Sequence, residues 1–257
     1  MAEAAGNEDE VVTAGLLVIG DEILSGRTKD KNIGYVAEYL TVIGIDLKEV
    51  RIVPDEEPDI VAALNALRGR YDYVFTTGGI GPTHDDITAD CIAQAFGVEL
   101  YEHPEIIAAM EARWKGGINA AHRRMARVPV GGTLVKNPVG GPPGFQIGNV
   151  FVLAGVPAVM RGMLDDVGPR LRTGAVVVAR TVRVEGAGES LIAAPLEALA
   201  KQHPDLSLGS YPFFSPEGYG SNLVIRGRDG DEVAATVEEL IAALADIGAK
   251  SITPVEA

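Results

Sequence analysis

The chain has 257 residues, 47% of them hydrophobic, and 36 acidic against 22 basic residues give it a formal net charge of −14. A chain of this size can bury one sizeable core and a smaller second one. Its negative charge excludes nucleic acid and anionic membranes as general partners unless a local basic patch overrides it, and the densest basic cluster, Arg123, Arg124 and Arg127, forms no such patch.

The N-terminal segment MAEAAGNEDE is acidic and contains no apolar signal-peptide stretch. We predict that residues 1–13 form a disordered acidic tail. No uninterrupted apolar run is long enough to span a bilayer. Cys91 is the single cysteine, so no intramolecular disulfide can form, and its helical spacing with Ile87 and Ala95 indicates a buried core residue. These features predict a cytoplasmic protein.

From Ala14 onward, extended and helical patterns alternate along the chain. The predicted order is strand Leu16–Ile19, helix Asn32–Ile43, strand Asp46–Val53, helix Asp59–Leu67 and strand Tyr71–Thr76. Such alternation is typical of a mostly parallel sheet with helices on both faces. Because ligands of these sheets bind beyond the carboxyl ends of the strands, we expect GDEILSG, residues 20–26, to lie beside the loop after the third strand.

That loop lies within the segment TTGGIGPTHDDIT, residues 76–88, and joins a strand pattern to a helix pattern. Gly78, Gly79 and Gly81 have no side chains, so their backbone N–H groups can approach an anion closely, and Pro82 stiffens the turn. The start of the following helix adds unpaired amides and a positive dipole end. The spacing matches neither a P-loop nor a dinucleotide fingerprint.

Two adjacent acids, Asp85 and Asp86, close the same loop. They could be ordinary first-turn acids, and Asp86 with Thr88 could be helix-capping residues. Capping leaves the three clustered glycines unexplained, whereas paired carboxylates beside a phosphate cradle suit a hard cation such as Mg²⁺. We therefore interpret the loop as a phosphate-and-metal site.

The middle of the chain contains two further signals. Residues 103–127 read as helical, with a break at Gly116 and Gly117. The loop NPVGGPPGF, residues 137–145, is predicted to be neither helix nor central strand. The strand Val150–Leu153 then ends in AGVP, where Gly155 permits a close turn and Pro157 begins a helix through Met163.

Beyond about Thr173 the pattern changes. The predicted order is strand Val176–Val184, helix Ser190–Lys201, strands Leu206–Tyr211 and Asn222–Arg228 and helix Glu232–Leu244, with or without a last strand. This order is typical of a ferredoxin-like α+β unit. We therefore divide the chain into an α/β domain, residues 14–173, and a smaller unit, residues 174–257, whose simplest role is dimerisation or lid formation without chemistry.

TTGGIGPTHDDIT, taken with GDEILSG, NPVGGPPGF and AGVP, resembles the molybdopterin-binding-like (MoaB/Mog) domain family. Within it, the segment from about Ala14 to Leu171 is most similar to the N-terminal part of competence/damage-inducible protein A and to the corresponding domain of FAD synthases. SLGSYP, residues 207–212, is similar to the segment that follows this domain in FAD synthases. Since no deamidase or adenylyltransferase domain has room after Ala257, we expect a stand-alone form.

The resemblance implies a three-layer α/β/α domain that binds a pterin or a nucleotide. Asp86 matches the acidic position shared by the family and is the first candidate for catalysis, and Asp85 matches an additional acid; both are the candidate metal ligands. Ala154 departs from the family's usual proline before GVP, and His84 occupies a variable, solvent-facing site. The candidate ligand-binding residues are Gly20, Asp21, Glu22, Gly26, Asn32, Thr77, Gly78, Gly79, Gly81, Pro82, Thr83, Thr88, Asn137, Pro138, Gly155 and Pro157.

Relatives in this subgroup are associated with metal-dependent hydrolysis of nucleotide pyrophosphates such as FAD or ADP-ribose to AMP and a second phosphate ester. The resemblance therefore favours a hydrolase that uses Mg²⁺, Mn²⁺ or Co²⁺, with K⁺ as a further candidate and with Glu22 or Asp21 as general base. The alternative is a module that binds molybdopterin without hydrolysis, and a third hypothesis is an interaction protein without activity, which the intact acidic pair disfavours. We also expect a homo-oligomer, a dimer ahead of a trimer.

Overall fold

The computed structural model describes residues 10–216 and 218–255, so the first nine residues of the predicted acidic tail lie outside it. The chain divides into two compact units between Ala175 and Val176, and each is described by itself. No helix in these described ranges is long and apolar enough to cross a bilayer.

The first unit alternates strands and helices, as predicted for residues 14–173. Its strands are β1 Val12–Ile19, β2 Ile45–Val53, β3 Tyr73–Thr77, β4 Leu100–Glu102, β5 Arg127–Pro129, β6 Thr133–Val135, β7 Gly144–Ile147 and β8 Val150–Leu153. Its helices are α1 Asp21–Leu24, α2 Ile33–Val42, α3 Glu57–Arg68, α4 Thr88–Phe96, α5 Pro104–Arg113, α6 Ala120–Met125 and α7 Pro157–Val167, followed by a 3₁₀ turn at Gly168–Arg170. Strand β1 begins at Val12, inside the segment assigned to the tail.

Six strands form the main sheet in the order β2-β1-β3-β8-β7-β6. Strands β2, β1, β3 and β8 run parallel, and β7 and β6 add antiparallel pairs at one side. The chain leaves β1 toward β2 and then returns to place β3 on the other side of β1. This reversal is a topological switch point, and it lies between the carboxyl ends of β1 and β3.

Helices cover both faces of this sheet, which confirms the predicted three-layer α/β/α architecture. Leu17 and Ile19 of β1 pack with α3, α4 and α5 on one face, and Leu16 and Val18 pack with α2 and α7 on the other. Buried side chains therefore follow one another along β1, as expected for a strand covered on both faces. Cys91 is completely buried, and burial raises the pKa of its thiol to about 12, so the prediction of a core residue is confirmed.

Residues 21–24 of GDEILSG form the short helix α1. Two local predictions in this unit are wrong. Arg127, predicted to end a helical segment, belongs to β5, which pairs with β4. Gly144 and Phe145, placed in a loop by the sequence, belong to β7, which lies between β6 and β8. Glycine is required there because an added Cβ on Gly144 would lie 2.2 Å from the carbonyl oxygen of Val152.

The second unit has the predicted ferredoxin-like order, including the last strand. Its elements are β9 Val178–Glu185, α8 Glu189–Gln202, β10 Ser207–Ser215, β11 Gly218–Gly227, α9 Gly230–Leu244 and β12 Ser251–Val255. The strands form an antiparallel sheet in the order β10-β11-β9-β12. Leu223 and Ile225 of β11 pack with Val233 and Leu240 of α9 in a separate core.

Candidate functional site

Three glycines bring the carboxyl ends of β1, β3 and β8 into contact. Gly78 has a φ of +103°, and an added Cβ would lie 2.1 Å from the carbonyl oxygen of Ile19. Its amide donates to the carbonyl oxygen of Leu153 at 3.3 Å. A Cβ on Gly155 would lie 3.2 Å from the Cα of Gly78. The loops after the three strands therefore meet beside the switch point, as the sequence predicts.

The glycine loop is anchored from α4. The Thr88 hydroxyl donates to the carbonyl oxygen of Gly78 at 3.0 Å, and the Thr88 amide donates to that of Gly79 at 3.0 Å. Thr88 is completely buried, so both bonds are shielded from water. A candidate ligand-binding residue is thus found to support the loop from below rather than to line a cavity.

Asp86 does not cap α4. The helix begins at Thr88, and the residue before it, Ile87, makes no capping side-chain hydrogen bond. Asp86 Oδ2 instead accepts hydrogen bonds from the amide and hydroxyl of Thr83, at 2.8 and 2.5 Å. The carboxylate lies against Gly81, where an added Cβ would be 2.6 Å from Asp86 Oδ2. The interpretation of Asp86 and Thr88 as a helix cap is therefore wrong, and Asp86 closes the turn of the loop.

One cavity of 530 Å³ lies over this loop. Ten of the sequence candidates line it: Gly20, Glu22, Gly78, Gly79, Gly81, Asp85, Asp86, Asn137, Gly155 and Pro157. Its size falls within the usual range for small-molecule sites. The cavity thus joins the four segments whose motifs were singled out separately.

A neighbouring cavity of 230 Å³ contains two more candidates, Asn32 and Thr77, and shares Gly78 and Gly155 with the first. Asn32 Nδ2 donates to the carbonyl oxygen of Gly155 at 2.9 Å. Asn32 Oδ1 and Thr77 Oγ1 are buried and have no hydrogen-bond partner within the described part of the chain. Two buried polar atoms in residues that line the second cavity therefore have no partner among the described residues.

Six candidates line neither cavity: Asp21, Gly26, Pro82, Thr83, Thr88 and Pro138. Thr83 and Thr88 hold the glycine loop, whereas Pro138 packs on α7, where a Cβ on Gly162 would be 2.8 Å from its Cγ. Gly26 has a φ of +72° and open space around it. His84 is 96% exposed, which confirms its predicted solvent-facing position.

The acidic side of the central cavity contains a residue that the sequence analysis missed. Asp55 lines it together with Glu22, Asp85 and Asp86. Asp55 Oδ2 accepts a hydrogen bond from the amide of Asp21 at 2.9 Å. Burial raises the pKa of Asp55, and the negative charges of Asp21, Glu22 and Asp85 raise it further. Its position two residues after the end of β2 was the available signal, because that strand ends at the same edge of the sheet.

The two acids of the loop differ in environment. The pKa of the exposed Asp85 is lowered, mainly by hydrogen bonding from the Thr83 hydroxyl. The same hydroxyl also donates the 2.5 Å bond to Asp86, so it interacts with both acids. Within residues 10–216 and 218–255, no group of three or more His, Cys, Asp or Glu side chains is arranged to hold a metal ion. A cation held by Asp85 and Asp86 would need water and ligand oxygens to complete its coordination, as hard cations accept.

A second missed residue is Arg124 of α6. Beside the glycine loop, a crevice of 20 Å³ is lined by Gly79, Gly81, Asp86 and Arg124. Arg127 also reaches this crevice, but its guanidinium forms two 2.7 Å hydrogen bonds to Asp90. The side chain of Arg124 has no ion pair or hydrogen-bond partner among the residues that the structure describes. Arg124 therefore supplies an unpaired positive charge beside the loop.

Comparisons with known proteins match both units. The family model described as "Probable molybdopterin binding domain" matches residues 15–173, and "FAD synthase, middle domain" matches residues 177–251. A protein from Archaeoglobus fulgidus is 34% identical over 224 residues, which cover 87% of this chain and 94% of that protein.

A CinA-like protein from Gemmatimonas aurantiaca is 34% identical over 212 residues, and the match covers 77% of this chain but 50% of that protein. The chain thus spans about half the length of this relative. Among solved structures, the CinA protein of unknown function from Thermoplasma acidophilum aligns with a TM-score of 0.57 and 29% identity, over 61% of this chain and 96% of that one.

Proposed function

The chain belongs to the molybdopterin-binding domain family, and from that premise we propose that it hydrolyses a nucleotide pyrophosphate of the FAD or ADP-ribose type to AMP and a second phosphate ester. One observation carries the proposal: the glycine loop and the carboxylates of Glu22, Asp55, Asp85 and Asp86 line one cavity of 530 Å³. An anion cradle and acids for metal and proton chemistry are the parts that such a reaction needs.

The cradle binds the pyrophosphate through backbone and side-chain donors. Gly79 and Gly81 have main-chain amides without side-chain obstruction, whereas the amide of Gly78 is bonded to the carbonyl oxygen of Leu153. The start of α4 adds its positive dipole end. Arg124 supplies a full positive charge at the same loop. These groups balance part of the repulsion between a pyrophosphate and the acidic side of the cavity.

Asp85 and Asp86 would hold a divalent cation against the phosphate oxygens. Asp86 is fixed by Thr83 through Oδ2, and Asp85 remains exposed to the cavity. A bound Mg²⁺, Mn²⁺ or Co²⁺ supplies Lewis-acid polarisation of the phosphoryl group and neutralises negative charge. K⁺ remains a candidate additive for the assay.

We assign the proton-accepting role to Asp55 rather than to Asp21. The raised pKa of Asp55 makes this carboxylate more basic than an ordinary aspartate, and it lines the cavity, whereas Asp21 does not. In the proposed step, the water oxygen bonds to one phosphorus, its proton goes to Asp55 and the bond from that phosphorus to the bridging oxygen breaks. AMP and the second phosphate ester are released with the electron pair on the former bridging oxygen.

The alternative is a module that binds molybdopterin without hydrolysis. It is supported by the lack, within the described ranges, of a group of three or more His, Cys, Asp or Glu side chains that could hold a metal ion. It is also supported by the bonds from Thr83 that occupy one oxygen of Asp86. This alternative predicts pterin binding with no metal-dependent product.

The test is to incubate the protein with FAD or ADP-ribose and Mg²⁺, Mn²⁺ or Co²⁺, with and without K⁺, and to measure AMP by chromatography. We expect metal-dependent AMP release that falls by at least about 100-fold in Asp86→Asn, since a fixed acid beside the reacting phosphoryl group is lost. Asp59→Asn, an exposed acid of α3 outside the cavity, is the matched control and should keep full activity. Pterin binding without AMP from any substrate would instead establish the binding module.

We propose further that the protein acts in the cytoplasm on a small-molecule nucleotide, because its single cysteine is typical of a reducing compartment. We also propose a homo-oligomer, with a dimer favoured over a trimer. Size-exclusion chromatography with light scattering distinguishes these states from a monomer.

A further inference from the structure

A third cavity, of 350 Å³, lies between α5 and the loop that precedes β7. Its floor consists of Ile106 and Met110, which are buried, and its wall includes Pro142 and Pro143. Four acids line the central cavity, whereas one acid, Glu105, and one base, Arg113, line this one, and its other lining residues are apolar or glycine. It can therefore accept an uncharged, flat part of a ligand by excluding water from both surfaces.

Two side chains at the end of α5 give this cavity a specific chemistry. Trp114 lines it, and its ring lies 4.7 Å from that of His122, centroid to centroid. The Arg113 guanidinium carbon lies 5.3 Å from the Trp114 ring centroid. Arg113 has no ion pair or hydrogen-bond partner in the described parts of the chain. A stacking surface therefore lies beside an unpaired donor that can bind a ring carbonyl.

The cavity adjoins the central one, because Gly140 and Pro142 line both. Asn137 fixes their positions, because its Nδ2 donates to the carbonyl oxygens of Gly140 and Pro142 at 2.8 and 3.1 Å. Gly140 has a φ of +106°, and a Cβ there would lie 3.3 Å from Arg113 Nη1. A ligand whose phosphates lie on the glycine loop can thus extend past Gly140 and Pro142 to this cavity.

We propose that the cavity formed by α5, Trp114 and Pro142 binds the part of the ligand that lies beyond the phosphates, and that this part is a fused aromatic heterocycle with ring carbonyls. This inference rests on the proposed site for the phosphates. The ring stacks on Trp114, its apolar edge covers Met110, and Arg113 donates to a carbonyl oxygen. Flavin and pterin share this chemistry, whereas the pentose of ADP-ribose lacks it.

The experiment fills the cavity without touching the glycine loop. Ala109 and Ala108 are exposed neighbours on α5, and Ala109 lines the cavity whereas Ala108 does not. Dissociation constants for FAD, ADP-ribose and a pterin are measured by calorimetry, or Michaelis constants where AMP is released. Ala109→Trp should raise the constant for FAD at least about tenfold and should change the constant for ADP-ribose by no more than about twofold. The control Ala108→Trp should change neither constant. Arg113→Gln should likewise weaken the binding of FAD and leave that of ADP-ribose unchanged.

The outcomes separate this inference from the proposed hydrolysis. Selective loss of FAD binding without any AMP release would support the cavity and overturn the pyrophosphatase. AMP release with an unchanged preference for FAD in Ala109→Trp would overturn the cavity and leave the pyrophosphatase standing. If Ala109→Trp selectively lost pterin binding, the cavity would be supported and its ligand would be a pterin. Equal loss of affinity for all ligands in both tryptophan variants would overturn the inference.

Discussion

Gly78 shows why a glycine in this loop is not by itself evidence for a ligand. Its φ of +103° and the 2.1 Å distance from an added Cβ to the carbonyl oxygen of Ile19 make any side chain incompatible with the packing of the strand ends. The fold therefore requires this residue even without phosphate. Gly81 is required for a different reason, since the carboxylate of Asp86 occupies the space of its Cβ. The evidence for an anion site is thus the shared cavity, not the glycine count.

Arg124 is the residue whose substitution tests the charge balance of the site. Arg124→Gln should raise the Michaelis or dissociation constant for FAD and ADP-ribose about 10- to 100-fold, because a charge-assisted contact to phosphate is lost in an acid-lined cavity. Arg123→Gln is the matched control on the same helix, since Arg123 pairs with Glu102 at 2.6 Å and does not line the crevice. Equal effects of the two substitutions on ligand affinity would contradict a specific role of Arg124.

The site residues that the sequence predicted are those beside turn-forming glycines and prolines. Gly20 and Gly78 follow β1 and β3 directly, and Gly155 lies two residues after the end of β8, so the parallel arrangement alone brings them together. Asp55 and Arg124 were missed because neither lies in a glycine-rich motif. Arg124 reaches the loop from α6 through tertiary packing, which no periodicity in the sequence encodes.

At the scale of elements, the connection from β3 to α4 is held by one buried threonine. Thr88→Val removes the hydroxyl that donates to the carbonyl oxygen of Gly78 and leaves that acceptor unpaired, at a cost of about 1–3 kcal/mol. We expect the free energy of unfolding, measured in urea by circular dichroism, to fall by that amount.

Thr76→Val is the control for this substitution. Thr76 lies in β3 of the same unit and is equally buried, but its hydroxyl has no partner in the part of the chain that the structure describes. Removing an unpaired buried hydroxyl should leave the unfolding free energy unchanged or raise it. If both variants lost the same stability, the hydrogen bond of Thr88 would not be what anchors the loop.

Elements with strong hydrophobic periodicity were predicted, whereas short ones were not. The four parallel strands and helices α2, α3 and α7 follow from periodicity. Strand β7 was missed because Pro142, Pro143 and Gly144 are usual signs of a loop. Both prolines precede the strand and therefore remove none of its ladder bonds, and Gly144 is buried against β8. Helix α1, with 4 residues, is too short for a periodic signal.

At the scale of the whole molecule, the net charge of −14 opposes the approach of an anionic ligand to a cavity that is itself lined by acids. The ligand is attracted only within a short distance, by the loop amides, Arg124 and a bound cation. Screening reduces the long-range repulsion, because the Debye length is about 10 Å at 0.1 M salt and about 30 Å at 0.01 M. The association rate should therefore respond to salt in the direction opposite to that of an attractive site.

We predict that the association rate constant of FAD increases about two- to fivefold when NaCl is raised from about 10 to about 200 mM at constant Mg²⁺. This rate is measured in a stopped-flow instrument from the quenching of the fluorescence of Trp114, the only tryptophan of the chain. Riboflavin carries the same ring without phosphates, so its rate should not change with salt. A rate for FAD that falls with salt would mean that the local positive potential of Arg124 and of Lys29 and Lys31 outweighs the net charge. The sign of the salt dependence thus decides whether the whole chain or the immediate surroundings of the cavity control the approach of the ligand.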